Sequence, residues 1–274
     1  MQKVALPSGP TVAYEDTGGD GTAIVFSHGY MMNHHMFAPQ VAHFAPHWRT
    51  IAWDARGHGD TDWDGGAFSY WDSARDLLAL LDHLGLDKVV HVGMSQGGLV
   101  GMRAALLAPE RFFGIVQLST QAGVAPGADD SFGRHVGGWC EEGANAERIQ
   151  FMGDLILGDG VDRTYWNALW ERIPREKVRD ATSALMTIDE LWDRLKDVTV
   201  PVCTIHGLAD VATSHDLGLR TPLGVPDARG VKLIPHGPHA ANLSHPARVN
   251  KAIEDFIAEL IADGMPIKES HHGQ

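Results

Sequence analysis

Lys88-Val89-Val90-His91-Val92-Gly93-Met94-Ser95-Gln96-Gly97-Gly98 is the stretch on which the fold turns. Lys88–Val92 is short and β-branched, the pattern of a buried strand. Gly98–Ala108 carries Leu99, Met102, Leu106 and Leu107 at helical spacing and stops before Pro109, the pattern of a helix. Between them a serine stands with Gly at −2 and +2, which is a nucleophile elbow: a sharp strand-to-helix turn that strains the backbone at Ser95 and needs small neighbours to do so. The turn pushes the hydroxyl out of the sheet edge and sets the Gln96 N–H at a helix N-terminus, where developing negative charge is stabilised.

Strand and helix patterns alternate on both sides of this elbow. Gln2–Leu6 and Thr11–Glu15 read as an antiparallel hairpin joined at Pro7-Ser8-Gly9-Pro10. Ala23–Ser27 is a buried strand running into His28-Gly29-Tyr30. Phe37–Phe44 reads as a helix, and Thr50–Trp53 as a strand ending at Asp54-Ala55-Arg56-Gly57-His58-Gly59. Tyr70–Leu84 has an apolar stripe of Ala74, Leu77, Leu78, Leu81 and Leu84, closed by Gly85. Phe112–Ser119 is the next strand. This order predicts an α/β fold with a parallel sheet and helices on both faces, whose site lies at the carboxyl ends of the strands.

The pattern breaks at Gln121. Residues 121 to 195 offer only helix candidates, Ser131–Glu142, Ala146–Leu157, Arg163–Arg172 and Lys177–Thr187, and hold Trp139, Trp166, Trp170 and Trp192. This segment reads as a helical insertion over the rim, a lid able to wall a pocket with aromatics. Alternation resumes at Val200–Ile205, which ends at His206-Gly207-Leu208-Ala209-Asp210, and at Gly230–Ile234, which ends at Pro235-His236-Gly237-Pro238-His239. A final helix starts near Pro246 with a stripe of Val249, Ile253, Phe256, Ile257, Leu260 and Ile261, ended by Gly264. Lys268–Gln274, with His271-His272, reads as a polar mobile tail.

With 274 residues, 44% hydrophobic, the chain has enough apolar residues for one large domain carrying an insertion. A formal net charge of −13 argues against nucleic acid and anionic membrane as partners. The two cysteines, Cys140 and Cys203, form no disulfide framework or CxxC site. With no signal-peptide pattern after Met1 and no membrane-length apolar run, they point to a reducing cytoplasm.

A serine hydroxyl needs a base, and the base needs an orienting group. His239, in a Gly-Pro loop after the last strand, is the candidate base, with His236 and His245 as neighbouring rivals. Asp210 is the candidate acid, with Asp216 as its rival. The order Ser95, Asp210, His239 is the one this elbow requires. His28 reads as a residue bonding backbone beneath the site, and Arg56 and His58 as braces of the loop after Trp53. His34, His35, His43 and His47 have no metal-ligand spacing and read as helix-surface histidines. No metal or cofactor is expected.

These segments together resemble the α/β-hydrolase family over nearly the whole chain. The resemblance rests on His28-Gly29-Tyr30, Asp54–Gly59, Gly93–Gly98, His206–Asp210 and Gly237-Pro238-His239. It implies an eight-stranded, mostly parallel sheet, a core of residues 1–120 and 196–274, and a helical cap of residues 121–195. It also implies Ser95 as nucleophile, His239 as general base, Asp210 as its partner, and an oxyanion hole made by the Tyr30 and Gln96 N–H groups. Thr61 stands where members often have Ser. The His-Gly-Gly-Gly stretch of many lipases is replaced by Tyr30-Met31-Met32, and Ser95 argues against the branches that use an Asp nucleophile. The branch most similar in style contains capped esterases, lactonases, carbon–carbon bond hydrolases and cofactor-free perhydrolases. The expected reaction is hydrolysis of an ester or lactone of a small to medium apolar substrate, with Met31, Met94, Gln121, Trp139 and Trp166 as candidate substrate contacts. Carbon–carbon hydrolysis or perhydrolysis by the same triad is the first alternative, and a ligand-binding sensor on the same scaffold the second. The chain is expected to work as a monomer or homodimer on a small molecule.

Overall fold

The computed structural model describes residues 1–123 and 130–267; the segment 268–274, read above as a tail, lies outside them. Strands β1 (Gln2–Ala5), β2 (Thr11–Asp16), β3 (Ala23–Ser27), β4 (Arg49–Trp53), β5 (Val89–Met94), β6 (Phe112–Leu118), β7 (Val202–Gly207) and β8 (Ala228–Ile234) form one eight-stranded sheet in the order β1-β2-β4-β3-β5-β6-β7-β8. β1 and β2 form the expected hairpin, and β2 also pairs antiparallel with β4. Every later pairing is parallel.

Each central strand is buried along its length because both faces are covered. The side-chain period of two divides the core accordingly. Ile24, Phe26, Val90, Val92, Val116 and Leu118 pack on one side. Ala23, Val25, Val89, Ile115 and Val202 pack on the other. The first layer meets helix α10 (Pro246–Ala262) through Val249, Ile253, Phe256, Ile257 and Leu260. The second meets α2 (Tyr70–His83) through Ala74, Leu77, Leu80 and Leu81, and α3 (Gln96–Leu107) through Leu99 and Val100. A capping box fixes the start of α2: Ser69 accepts from the Asp72 N–H, and Asp72 accepts from the Ser69 N–H.

Between β6 and β7 the described residues form helices rather than strands: α4 (Asp130–Glu142), α5 (Ala146–Met152), α6 (Thr164–Arg172) and α7 (Arg175–Met186). α5 does not run on to Leu157 as one α-helix. It widens into a π-turn at Gly153–Leu157, closed by the Gly158 N–H on Gly153 O at 3.1 Å. Two α-helices were not foreseen: α8, His215–Gly224, in which Pro222 breaks the sequence signal, and the single turn α9, Ala241–Ser244.

Register places the site. Ser27 lies opposite both Trp53 and Gly93, Met94 opposite Leu118, Leu118 opposite Ile205, and Gly207 opposite Ile234. The loops that begin at His28, Asp54, Ser95, Ser119, Leu208 and Pro235 therefore leave the sheet along one edge.

Candidate active site

Ser95 takes φ 50° and ψ −114°, a left-handed conformation that a serine adopts only under constraint. The constraint comes from close backbone approach on both sides. A Cβ at Gly93 would lie 2.4 Å from Gly97 O, and one at Gly97 would lie 2.0 Å from Ser27 O. The Ser95 N–H donates to Leu118 O at 2.8 Å. Ser95 O accepts from Gly98 N, Leu99 N and Thr120 Oγ1. The main chain of Ser95 is thus fully held, while its Oγ makes no hydrogen bond to another described residue.

Ser95 and His239 line one cavity of about 580 Å³. The His239 Nδ1–H donates to Asp210 Oδ2 at 2.9 Å, which fixes the proton on Nδ1 and leaves Nε2 as the lone-pair nitrogen. Asp210 is saturated. Its Oδ1 accepts from the Ala212 and Thr213 N–H groups, both at 2.9 Å. Its Oδ2 also lies 3.3 Å from Nε2 of fully buried His206. Burial pushes the Asp210 carboxyl up, but the His239 charge and the bonds from His206, His239 and Thr213 outweigh it and hold the group well below the ordinary carboxylate range. Asp216 is exposed and lies 3.3 Å from His215, so it is not the partner of His239. His236 is exposed, and His245 lies against Ser244 Oγ at the start of α10.

The Tyr30 and Gln96 N–H groups donate to no described protein group. Tyr30 sits in a turn tightened by positive φ at Met31 and closed by the Met32 N–H on Gly29 O at 3.2 Å. Trp170 Nε1 donates to Met31 O, and Tyr30 OH is 2.7 Å from Thr182 Oγ1, so α6 and α7 hold this turn. On the other flank, the Ala240 N–H donates to Ile156 O in the π-turn at 2.8 Å, which ties α5 to the His239 loop.

The remaining loop histidines are structural. The His28 Nδ1–H donates to Gly29 O, and its Nε2 accepts the Ala55 N–H, so burial lowers its pKa without leaving the ring unpaired. Arg56 forks onto Asp76 with two 2.7 Å bonds, and the His58 Nδ1–H donates to Arg56 O. Thr61 donates to Asp54 O and accepts the Ala13 N–H, so the hydroxyl there serves the loop. His34 departs from the surface reading. It is buried, and both its backbone N–H and its Nδ1–H donate to Asp54 Oδ1. His35, His43 and His47 are exposed, as read. Among the described residues no cluster of three or more His, Cys, Asp or Glu is placed to hold a metal ion. No described helix is long and apolar enough to cross a membrane.

Of the candidate substrate contacts, Met94 and Gln121 line the cavity, and Gln121 Oε1 is buried with no partner. Met31, Trp139 and Trp166 do not. Met31 faces a different cavity, and the two tryptophans are buried in the hydrophobic layer that joins the crossover helices to the sheet. The aromatics that line the Ser95 cavity are Tyr30, Phe132 and Phe151, and Leu99, Leu155, Ile156, Met186 and Ile188 are among its apolar wall. Sequence reasoning also missed Thr120 and His206. Both sit at strand ends, β6 and β7, which was the available signal.

A family model described as the alpha/beta hydrolase fold matches residues 22–154. The chain is 27% identical to 3-oxoadipate enol-lactonase 1 of Acinetobacter baylyi over 75% of its own length and 78% of that protein's. It is 28% identical to the non-heme chloroperoxidase of Streptomyces lividans over 94% of its length and 99% of that protein's. Among solved structures, a thermophilic esterase from Thermogutta terrifontis superposes with a TM-score of 0.83 at 23% identity, covering 95% of this chain and 99% of that one, a likeness of fold.

Proposed function

The chain belongs to the α/β-hydrolase family, and from that premise we propose that it is a serine hydrolase cleaving a carboxylic ester or lactone through an acyl-enzyme. The observation that carries the reading is the His239 Nδ1–Asp210 Oδ2 bond of 2.9 Å, with His239 and the strained Ser95 on the wall of one cavity. In this mechanism His239 Nε2 takes the Ser95 proton as Oγ attacks the carbonyl carbon. The carbonyl oxygen gains the negative charge and accepts the Tyr30 and Gln96 N–H groups. His239 passes its proton to the leaving oxygen, the carbon–oxygen bond breaks, and Ser95 keeps the acyl group. Water, deprotonated by His239, then adds to the acyl carbon and frees the acid and the serine. Asp210, kept ionised, stabilises the imidazolium that forms twice in the cycle. Ser95 Oγ and His239 close to hydrogen-bonding distance as substrate binds, as catalytic pairs commonly do. The helices α4–α7 act as a cap, with Phe132 and Phe151 over the acyl group.

The cavity wall supports an uncharged substrate. Among the described residues that line it there is no Asp, Glu, Lys or Arg; His239 and the Tyr30 phenol, which burial keeps neutral, are its titratable side chains. A substrate carboxylate would lose its hydration there without gaining a cation. The Gln121 amide and the hydroxyls of Thr120, Thr213 and Ser214 supply neutral polar contacts. A panel of p-nitrophenyl esters from C2 to C12, run beside monoesters of dicarboxylic acids, tests this. Turnover of the neutral esters with little or none of the acidic ones is expected. Preference for the acidic esters, or undiminished turnover by Ser95→Ala, would refute it.

A further inference from the structure

A second cavity, of about 390 Å³, opens between the loop after β4 and helices α6 and α7. It shares Met32 with the first cavity, but neither Ser95 nor His239 lines it. One side is apolar: Met31, Leu169, Ile173 and Val178. The other carries His58, Asp60, Arg172 and Lys177.

The polar side has unspent bonding capacity of two kinds. Lys177 Nζ donates to Gly59 O and Thr61 O, both at 2.9 Å, which leaves the third ammonium proton. Arg172 has no hydrogen-bond or ion-pair partner among the described residues. One exposed carboxylate, Asp60, lines the cavity against these two cations. The second kind is an acceptor. His58 Nδ1 lies 3.0 Å from Arg56 O, and a carbonyl only accepts, so Nδ1 carries the proton. Burial keeps the ring neutral, and its Nε2 is then a lone pair. That nitrogen is buried and has no partner, on a ring only 4% exposed. A ligand that completes this wall offers negative charge to Arg172 and Lys177 and a hydrogen-bond donor to His58 Nε2.

We propose that this cavity binds a small hydroxycarboxylate, its carboxylate on Arg172 and Lys177, its hydroxyl donating to His58 Nε2, and its apolar body against Leu169 and Ile173. The assignment is independent of any chemistry at Ser95.

Mandelate, phenylacetate and mandelamide separate the two contacts, because the second lacks only the hydroxyl and the third replaces only the carboxylate. Calorimetric titration of the full chain is expected to show saturable binding of mandelate. Binding of each of the other two is expected to be about tenfold weaker or more, the usual loss for a hydrogen bond to a charged or buried partner. Arg172→Gln, at an exposed position, is expected to weaken mandelate about tenfold and leave p-nitrophenyl butyrate turnover unchanged. Ser95→Ala is expected to bind mandelate as the parent does. No saturable binding of mandelate at millimolar concentration, equal binding of phenylacetate, or an Arg172→Gln variant that binds unchanged would each overturn the assignment.

Discussion

Replacing Asp210 with Asn tests the acid–base pair without emptying the site. The carboxylate accepts three hydrogen bonds, Ala212 N and Thr213 N on Oδ1 and His239 Nδ1 on Oδ2, while His206 Nε2, which donates to Thr213 O, lies 3.3 Å from Oδ2. An amide offers one oxygen and one NH₂. With the NH₂ at the Oδ1 position, it faces two backbone donors that cannot turn away. With the NH₂ at the Oδ2 position, which is the less costly arrangement, it faces the His239 ring, which can change tautomer, while the His206 Nε2–H stays on Thr213 O. His239 then places its lone pair on Nδ1 and its proton on Nε2, the wrong form for taking a proton from Ser95. A triad with its base in the wrong tautomer loses about 10⁴ in kcat, equal to about 5.5 kcal/mol of transition-state stabilisation. The fold keeps its packing but loses charge-assisted bonds at a buried site, with an expected cost of about 1–3 kcal/mol. The assay is kcat/KM on p-nitrophenyl butyrate across pH, beside thermal melts and an Asp216→Asn control at the exposed position. Asp210→Asn activity within tenfold of the parent, or a loss as large in Asp216→Asn, would refute this assignment of the acid.

Two further outcomes follow from packing and burial. Gly97→Ala puts a methyl 2.0 Å from a backbone oxygen of β3; a cost of about 3 kcal/mol is expected, a fall in Tm of roughly 5–10 °C, with activity falling too. Gly137→Ala, in α4 with nothing within 4 Å, is expected to hold or raise Tm by calorimetry. Acid is expected to weaken the fold before the carboxylates titrate. Burial pushes His58 and His91 down to about 3, so above pH 6.5 they are neutral in both states, and below it only the unfolded chain takes up their protons. Each then removes about 1.4 kcal/mol per pH unit, or about 2 kcal/mol by pH 5. His34, raised through its bond to Asp54, works the other way, adding stability below pH 6.5 that is lost as pH rises through its folded pKa. Asp54 and Asp210, held low, add stability present above their ordinary range and lost only as pH falls through their folded values. Melts at pH 7 and pH 5 should show a clear drop, smaller in His91→Gln; a flat or rising Tm would contradict the assignment of these rings as buried and neutral.

Much of this architecture was legible because its signals are local. β-Branched runs mark strands covered on both faces, and strand ends in a parallel sheet share an edge, so Ser95, Asp210 and His239 could be placed without coordinates. The glycines around Ser95 were legible for the same reason: Gly93 and Gly97 are where another backbone passes within the radius of a methyl group. What escaped depends on rotation and long-range contact. An amphipathic helix declares a face but not its neighbour, so Trp139 and Trp166 looked like pocket walls and are core, while Phe132 and Phe151 face the cavity. His34 sits among solvent-facing histidines in sequence, and only the return of Asp54 against it makes it a buried ion-pair partner. His206 was quoted as part of a strand-end motif, yet its contact with Asp210 depends on the turn at Gly207–Asp210 folding back on it. Pro222 masked α8 because a proline inside a short segment reads as a break.

The most direct test of the account is intact-mass analysis after treatment with a fluorophosphonate, followed by peptide mapping. One adduct per chain on the peptide that contains Ser95, absent in Ser95→Ala and formed in step with loss of ester turnover, is the predicted result. An adduct on another residue, or ester turnover that survives in Ser95→Ala, would contradict it.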